Sequence, residues 1–148
     1  MVVNGNFSAG WRDVQAPGLN LINQEPKGWQ LSWIEPGQPL YDDANSLSRG
    51  VPECVHKLDT QLPANEQLGA ENALILAGGA TYKIFSATAP FGVTLSQTVT
   101  GLKPGTQATL TAPVQVHLHG ETDPFGAESG VWVNGEGGWV NGHAMGDR

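Results

Sequence analysis

The tetrapeptide Trp-Val-Asn-Gly occurs twice near the end of the chain, at 132–135 and 139–142. A hairpin turning at Glu136-Gly137 would place Trp132 and Trp139 on one face, diagonal to each other, with valines on the opposite face. Indole rings stack on the flat C–H surfaces of sugars, and polar neighbours bond the hydroxyls. The repeat therefore predicts a ligand-binding platform. The alternative is that both indoles are core residues, as large apolar side chains usually are.

Two histidines stand two residues apart in the strand predicted over 107–120. Its second half alternates apolar and polar residues, so His117 and His119 share the polar face. Such a pair can bind zinc when a third ligand, for example Asp123 or Glu121, approaches it. The pair could equally line a sugar groove. A solvated strand face remains the third interpretation.

The acidic loop after this strand and the first half of the chain add further candidates. Asp123 and Glu128 flank an aromatic residue, Phe125, and could rim a groove or bind a cation. Trp33 and Tyr41 border a long loop from which they could reach a ligand, and long ordered loops often carry function. The predicted ligand-binding set is Trp132, Trp139, His117, His119, Asp123, Glu128, Trp33 and Tyr41.

Motifs for catalysis are absent from the sequence. It contains no Ser-His-Asp set, no His-Glu-x-x-His and no phosphate-binding glycine loop. Glycoside hydrolysis needs two carboxyl groups about 5 to 10 Å apart across a cleft, and no such pair stands out. We therefore predict a protein that is not an enzyme, with no catalytic or metal residues. A small glycan hydrolase using Glu53 or Glu128 as the acid is a weaker hypothesis.

Composition favours an all-β fold. Of 148 residues, 20 are Gly and 10 are Pro, only 14% are charged, and 39% are hydrophobic with five Trp, so the chain is rich in turns but too apolar for disorder.

The net charge is −7 without a basic run, which argues against nucleic-acid binding. No apolar stretch is long enough to insert into a membrane, and no signal peptide is visible. The single Cys54 excludes an internal disulfide and is expected to be a small buried side chain.

Short runs bounded by Gly, Pro or Asn predict strands, with long loops between those of the first half. Within 93–99, apolar residues and Gln97 alternate with Ser and Thr, which predicts a strand with one buried and one solvent-exposed face. A single helical turn is expected near 64–69 and a tight turn at 101–106. Pro113 should mark a bulge, an edge or a break. The predicted strands are 28–35, 51–58, 72–78, 81–88, 93–101, 107–120 and 129–135.

Three stretches resemble one known family. "VNGNFSAGW" (3–11) is similar to the opening strand and turn, and "PKGWQLSW" (26–33) to the Pro-Gly-Trp turn into the second strand, of galactose-binding-like β-sandwiches. "LSQTVTGLKPGTQATLTAPVQV" (95–116) resembles their central hairpin. This is the jelly-roll fold of many carbohydrate-binding modules. Strands with one apolar face independently favour two sheets packed face to face.

The resemblance implies a single antiparallel β-sandwich domain over 1–148 that binds a glycan without catalysis and is extracellular. Family members often hold a structural calcium near the opening strand, but Ser8 stands here where a carboxylate is usual, so no cofactor is predicted and a structural calcium stays the alternative. The sequence ends before the apolar closing strands of the family. Either this member is shorter, or a second chain or a neighbouring copy supplies those strands. The second possibility motivates an alternative function: an extracellular structural or filament subunit assembled by β-strand complementation.

Overall fold

A computed structural model of the chain describes residues 1–16, 20–86, 91–114, 128–133 and 136–141, with side chains for the first three ranges. The chain divides into two compact units, 1–107 and 108–148. The described residues contain strands and two short 3-10 turns but no α-helix, which confirms the all-β class. One sandwich domain over the whole chain stays a prediction.

Among the described residues, six strands lie in the first unit and two in the second. They are β1 (Trp11–Val14), β2 (Asn23–Pro26), β3 (Gln30–Trp33), β4 (Glu53–Leu58), β5 (Ala80–Phe85), β6 (Val93–Ser96), β7 (Glu128–Val133) and β8 (Glu136–Asn141). The first unit has a four-stranded sheet in the order β1-β2-β4-β5 and a two-stranded sheet of β3 and β6. The second unit has the β7–β8 hairpin.

The four-stranded sheet is antiparallel except where β2 meets β4. That parallel contact has a single backbone pair, Asn23 with Cys54. Beyond it, the side-chain oxygen of Gln24 accepts the His56 N–H at 2.9 Å, in place of a backbone carbonyl. The Gln24 side chain therefore extends the contact between β2 and β4 beyond their single backbone pair.

The chain passes from one sheet to the other through a tight corner between β2 and β3. Trp29 N–H donates to the Pro26 carbonyl at 3.0 Å, and Gly28 has a φ of +83°. The positive φ favours glycine at this position, where a Cβ would also make a tight 3.0 Å contact with the Val3 side chain. This confirms the turn predicted in "PKGW".

Polar residues share the interior of the first unit with apolar ones. Asn23, Glu25 and His56 are buried alongside the apolar core residues. The Glu25 carboxylate bridges the two sheets, because it accepts the β3 Leu31 N–H at 3.0 Å and pairs with Arg12 of β1 at 2.6 Å. Such pairing is what allows a carboxylate to be buried. The buried apolar residues are Ala16, Leu31, Val51, Cys54, Val55, Ala73, Ile75 and Ala80.

Several sequence-based predictions agree with the structure. Strands overlap the segments predicted at 28–35, 51–58, 81–88, 93–101 and 129–135, a 3-10 turn occupies Ala64–Glu66, and 101–106 contains a turn closed by Thr106 N–H to Lys103. From residue 93 to 100 half-buried and exposed residues alternate, as expected for a two-faced strand. Cys54 is fully buried.

Other predictions were wrong. The segment 72–78 forms turns, because the N–H groups of Asn72 and Leu74 bond to carbonyls at 65 and 66 instead of to a sheet. The described part of 107–120, residues 107–114, is exposed and contains no strand, so the hairpin expected over 95–116 is not formed there. Residues 3–9 form turns, and the first strand begins only at Trp11. The strand β2 was not predicted at all.

Candidate functional site

The doubled tetrapeptide does form a hairpin, but not with the predicted turn. β7 and β8 pair antiparallel, and the last pair is Val133 with Glu136. The turn at Glu136-Gly137 is therefore wrong, since both residues lie in β8. Only Asn134 and Gly135, outside the described residues, separate the strands, and Asn-Gly is the dipeptide most favoured in two-residue hairpin loops.

The observed register keeps the two tryptophans on one face. Trp132 stands opposite Gly137, and Trp139 stands opposite Gly130. Because residues two apart in a strand share a face, all four positions belong to the same face of the hairpin. Each tryptophan position thus has a glycine as its direct cross-strand neighbour. The valines belong to the opposite face: Val131, Val133 and Val140.

The remaining candidates in the second unit are only partly described. Glu128 is the first residue of β7 and pairs with Asn141. His117, His119 and Asp123 lie outside the described residues.

Trp33 and Tyr41 belong to the first unit. Trp33 ends β3 and packs, half-buried, against Ala16 and Val51. Its buried Nε1 lies beside the Cys54 thiol and has no well-directed hydrogen-bond partner among the residues that the structure describes. Tyr41 is half-buried in the turn-rich loop after β3, where its N–H bonds to Gln38.

An aromatic cluster in the first unit was not predicted. Trp11 stacks on His56 with ring centres 4.1 Å apart, and Phe7 lies 5.6 Å from Trp29 and 5.4 Å from Tyr82. Phe7 adopts a left-handed φ of 56°, which is costly for a bulky residue. Its contacts therefore hold the turn at 3–9 against the sheet. No spacing in the sequence joins these residues, which stand at positions 7, 11, 29, 56 and 82.

His56 has a defined tautomer. Its Nε2 lies 2.6 Å from the Phe7 carbonyl, which can only accept, so Nε2 carries the proton. Nδ1 is then an acceptor, and it is buried with no hydrogen-bond partner in the described part of the chain. Burial lowers the pKa of His56, and the bond to Phe7 opposes that shift. The neutral imidazole is the form that fits this site.

Cys54 is buried and Tyr82, the cross-strand partner of His56, is half-buried; their side chains are neighbours. Burial raises the pKa of the Cys54 thiol to about 12, and the polar groups of Tyr82 and Trp33 offset this shift only in part. Burial also raises the pKa of Tyr82, whose hydroxyl donates to the Gln24 carbonyl at 2.8 Å. Both groups stay protonated at neutral pH, so neither is an activated nucleophile.

Within the described part of the chain, no three His, Cys, Asp or Glu side chains converge in a way that could hold a metal ion. Ser8 donates its hydroxyl to the side chain of Asn6 at 2.9 Å. None of the helices among the described residues has the length and apolar character needed to cross a membrane. No protein family, curated protein or solved structure matches this chain.

Proposed function

We propose that this chain is a non-catalytic carbohydrate-binding module in which the hairpin face of Trp132 and Trp139 holds a glycan. The register of β7 and β8 carries the proposal, since it assigns both tryptophans to one face. A glycine opposite each of them leaves no bulky cross-strand neighbour at that position. Two adjacent aromatic positions of this kind suit the flat faces of successive sugar rings.

A β-sandwich of the galactose-binding-like, jelly-roll type is part of the proposal. Within the first unit, the β2–β3 corner carries the chain between two sheets, and Glu25 connects them by its bond to Leu31. An extracellular location follows by analogy with such modules.

A glycan array tests the function. The whole chain should bind a limited set of glycans, and Trp132→Ala or Trp139→Ala should each lower the affinity roughly tenfold, which corresponds to about 1.4 kcal/mol of lost stacking. Val131→Thr is the matched control, because Val131 lies on the other face of the same strand. It preserves a β-branched residue and should leave binding unchanged.

Absence of any glycan signal from the folded chain would contradict this function. So would binding that survives replacement of both tryptophans. A release of reducing sugar that is lost in Glu53→Gln or Glu128→Gln would show instead that the chain is a hydrolase.

One observation favours a second function, assembly with another chain. Residues 101–114 are all exposed and contain no strand, yet they carry three exposed apolar side chains: Leu102 (60%), Leu110 (58%) and Val114 (48%). A complementing strand from a second copy or a partner could cover them. Light scattering tests this, since a subunit of that kind would form particles that are multiples of the 15.6 kDa chain as concentration rises.

A further inference from the structure

A cleft in the first unit has no role in the proposal above. It lies where β4 begins and β5 ends and has a volume of about 350 Å³. Small-molecule sites occupy roughly 300 to 1,000 Å³. The cleft is at the lower end of this range, so it has room only for a small ligand. Residues from four separate segments line it, among them Asn20, Leu21, Ser46, Ser48, Glu53 and Phe85.

The cleft brings a carboxylate and an aromatic ring together. Glu53 and Phe85 are direct cross-strand partners in the β4–β5 ladder, so their side chains are neighbours on one face. One carboxylate oxygen of Glu53 accepts the Ile22 N–H at 3.1 Å, which orients the group. The other oxygen has no hydrogen-bond partner among the described residues.

The Ser46–Ser48 part of the cleft lining is held in place by its own hydrogen bonds. The side-chain oxygen of Asn45 accepts the N–H groups of Leu47 and Ser48 at 3.0 and 3.2 Å. Ser48 is buried, 3% exposed, and its N–H to Asn45 fixes the segment that carries Ser46. The polar groups of this part of the lining are therefore positioned before any ligand arrives, which lowers the cost of binding.

Charge selects the class of ligand. Among the described residues, Glu53 is the one charged residue that lines the cleft, so an anion is disfavoured. The ammonium of Lys83, which is outside this lining, lies 4.6 Å from the centre of the Phe85 ring and offsets part of the attraction of Glu53 for a cation, so a cation is not favoured over a neutral ligand. A neutral hydroxyl can donate to the carboxylate and accept from Asn20 or a serine. An aromatic ring beside these groups suits a C–H face.

We propose that this cleft is a second binding site, for a single neutral sugar ring or a cyclic polyol of similar size. Glu53 accepts hydrogen bonds from hydroxyl groups of the ligand, and Phe85 contacts the C–H face. The Ser46–Ser48 segment and Asn20 form hydrogen bonds with the remaining hydroxyls. This site does not depend on the hairpin face of Trp132 and Trp139.

The test is an NMR titration of the ¹⁵N-labelled whole chain with methyl glucopyranoside, methyl galactopyranoside and myo-inositol. At least one of them should cause saturable shifts of the amides of Leu21, Leu47 and Phe85. Glu53→Gln keeps an oxygen for Ile22 and should weaken that binding about tenfold, as expected for loss of a charge-assisted hydrogen bond. Phe85→Leu should weaken it several-fold. Glu35→Gln, a change at an exposed carboxylate outside the cleft lining, is the matched control.

The outcomes separate this site from the hairpin. Cleft shifts that persist in the Trp132→Ala, Trp139→Ala double variant support the proposal even if the array shows no glycan. Absence of saturable cleft shifts up to about 100 mM of every probe would overturn it. So would shifts unaffected by Glu53→Gln, or tighter cleft binding of cyclohexylammonium than of the neutral probes.

Discussion

The side chain of Gln97 pairs with the backbone of Val3 across 94 positions of sequence. Its oxygen accepts the Val3 N–H at 2.7 Å, and its nitrogen donates to the Val3 carbonyl at 2.9 Å and to the Gly28 carbonyl at 2.7 Å. The Gln97 side chain thus makes the backbone hydrogen bonds that a neighbouring strand would otherwise make. It fastens the N-terminal segment and the β2–β3 corner to the end of β6.

Gln97→Ala should therefore lower the free energy of unfolding by about 1–2 kcal/mol, because three hydrogen bonds are lost at a solvent-accessible position. Denaturant unfolding measures this. Thr98→Ala, at the next residue on the exposed face of the same segment, should cost less than about 0.5 kcal/mol. Equal losses for both variants would show that the Gln97 bonds do not stabilise the fold.

His56 predicts a pH dependence of stability. Its pKa in the folded chain is lowered by burial, so the unfolded chain binds the proton more readily. The stabilisation is complete above the unfolded pKa of about 6.5 and is lost as pH falls through the lower, folded value. His56→Gln keeps an N–H donor for Phe7 but cannot titrate. The difference in unfolding free energy between wild type and variant should therefore change below about pH 6.5 and be constant above it. A pH-independent difference would contradict a lowered pKa for His56 in the folded chain.

Cys54 provides a test of burial with a single probe, since it is the only cysteine. With its pKa raised to about 12 by burial, the thiol should react with iodoacetamide at pH about 8 at least roughly a hundredfold more slowly in the folded chain than in guanidinium chloride. Rapid modification of the folded chain would show that the side of the four-stranded sheet that carries Cys54 is open to solvent.

The glycines of β8 test the geometry of the hairpin face. Gly137→Val places a branched side chain opposite Trp132, whereas Gly138→Val places the same side chain opposite Val131 on the other face. Both changes favour a strand, so both variants should fold. Gly137→Val should weaken binding of the best array glycan several-fold in a calorimetric titration, and Gly138→Val should not. The reverse order would assign the ligand to the valine face.

The elements that the sequence predicted are those with strong local signals. β4, β5 and β6 carry β-branched residues or alternation, and Gly28 and Gly105 mark turns by their conformational freedom. The hairpin was predicted from its repeated tetrapeptide, although Asn134-Gly135 is a stronger turn signal than Glu136-Gly137.

The elements that were missed depend on distant partners. β2 has the sequence Asn-Gln-Glu-Pro, which disfavours a strand. It forms because Arg12 and Leu31 bind the buried Glu25 and because Tyr82 bonds to Gln24. Likewise, the pairing of Glu53 with Phe85 depends on the β4–β5 register, which no local pattern reveals. Such contacts join residues of different strands, so single-segment patterns do not contain them.

The indole N–H signals of the five tryptophans test the central claim most directly. Each gives a separate ¹⁵N–¹H peak that can be assigned with Trp→Phe variants. During titration with the glycan that binds most strongly on the array, the peaks of Trp132 and Trp139 should shift together with one midpoint, while those of Trp11, Trp29 and Trp33 stay in place. Shifts confined to Trp11, Trp29 or Trp33, with Trp132 and Trp139 unchanged at saturation, would contradict a binding face on the hairpin.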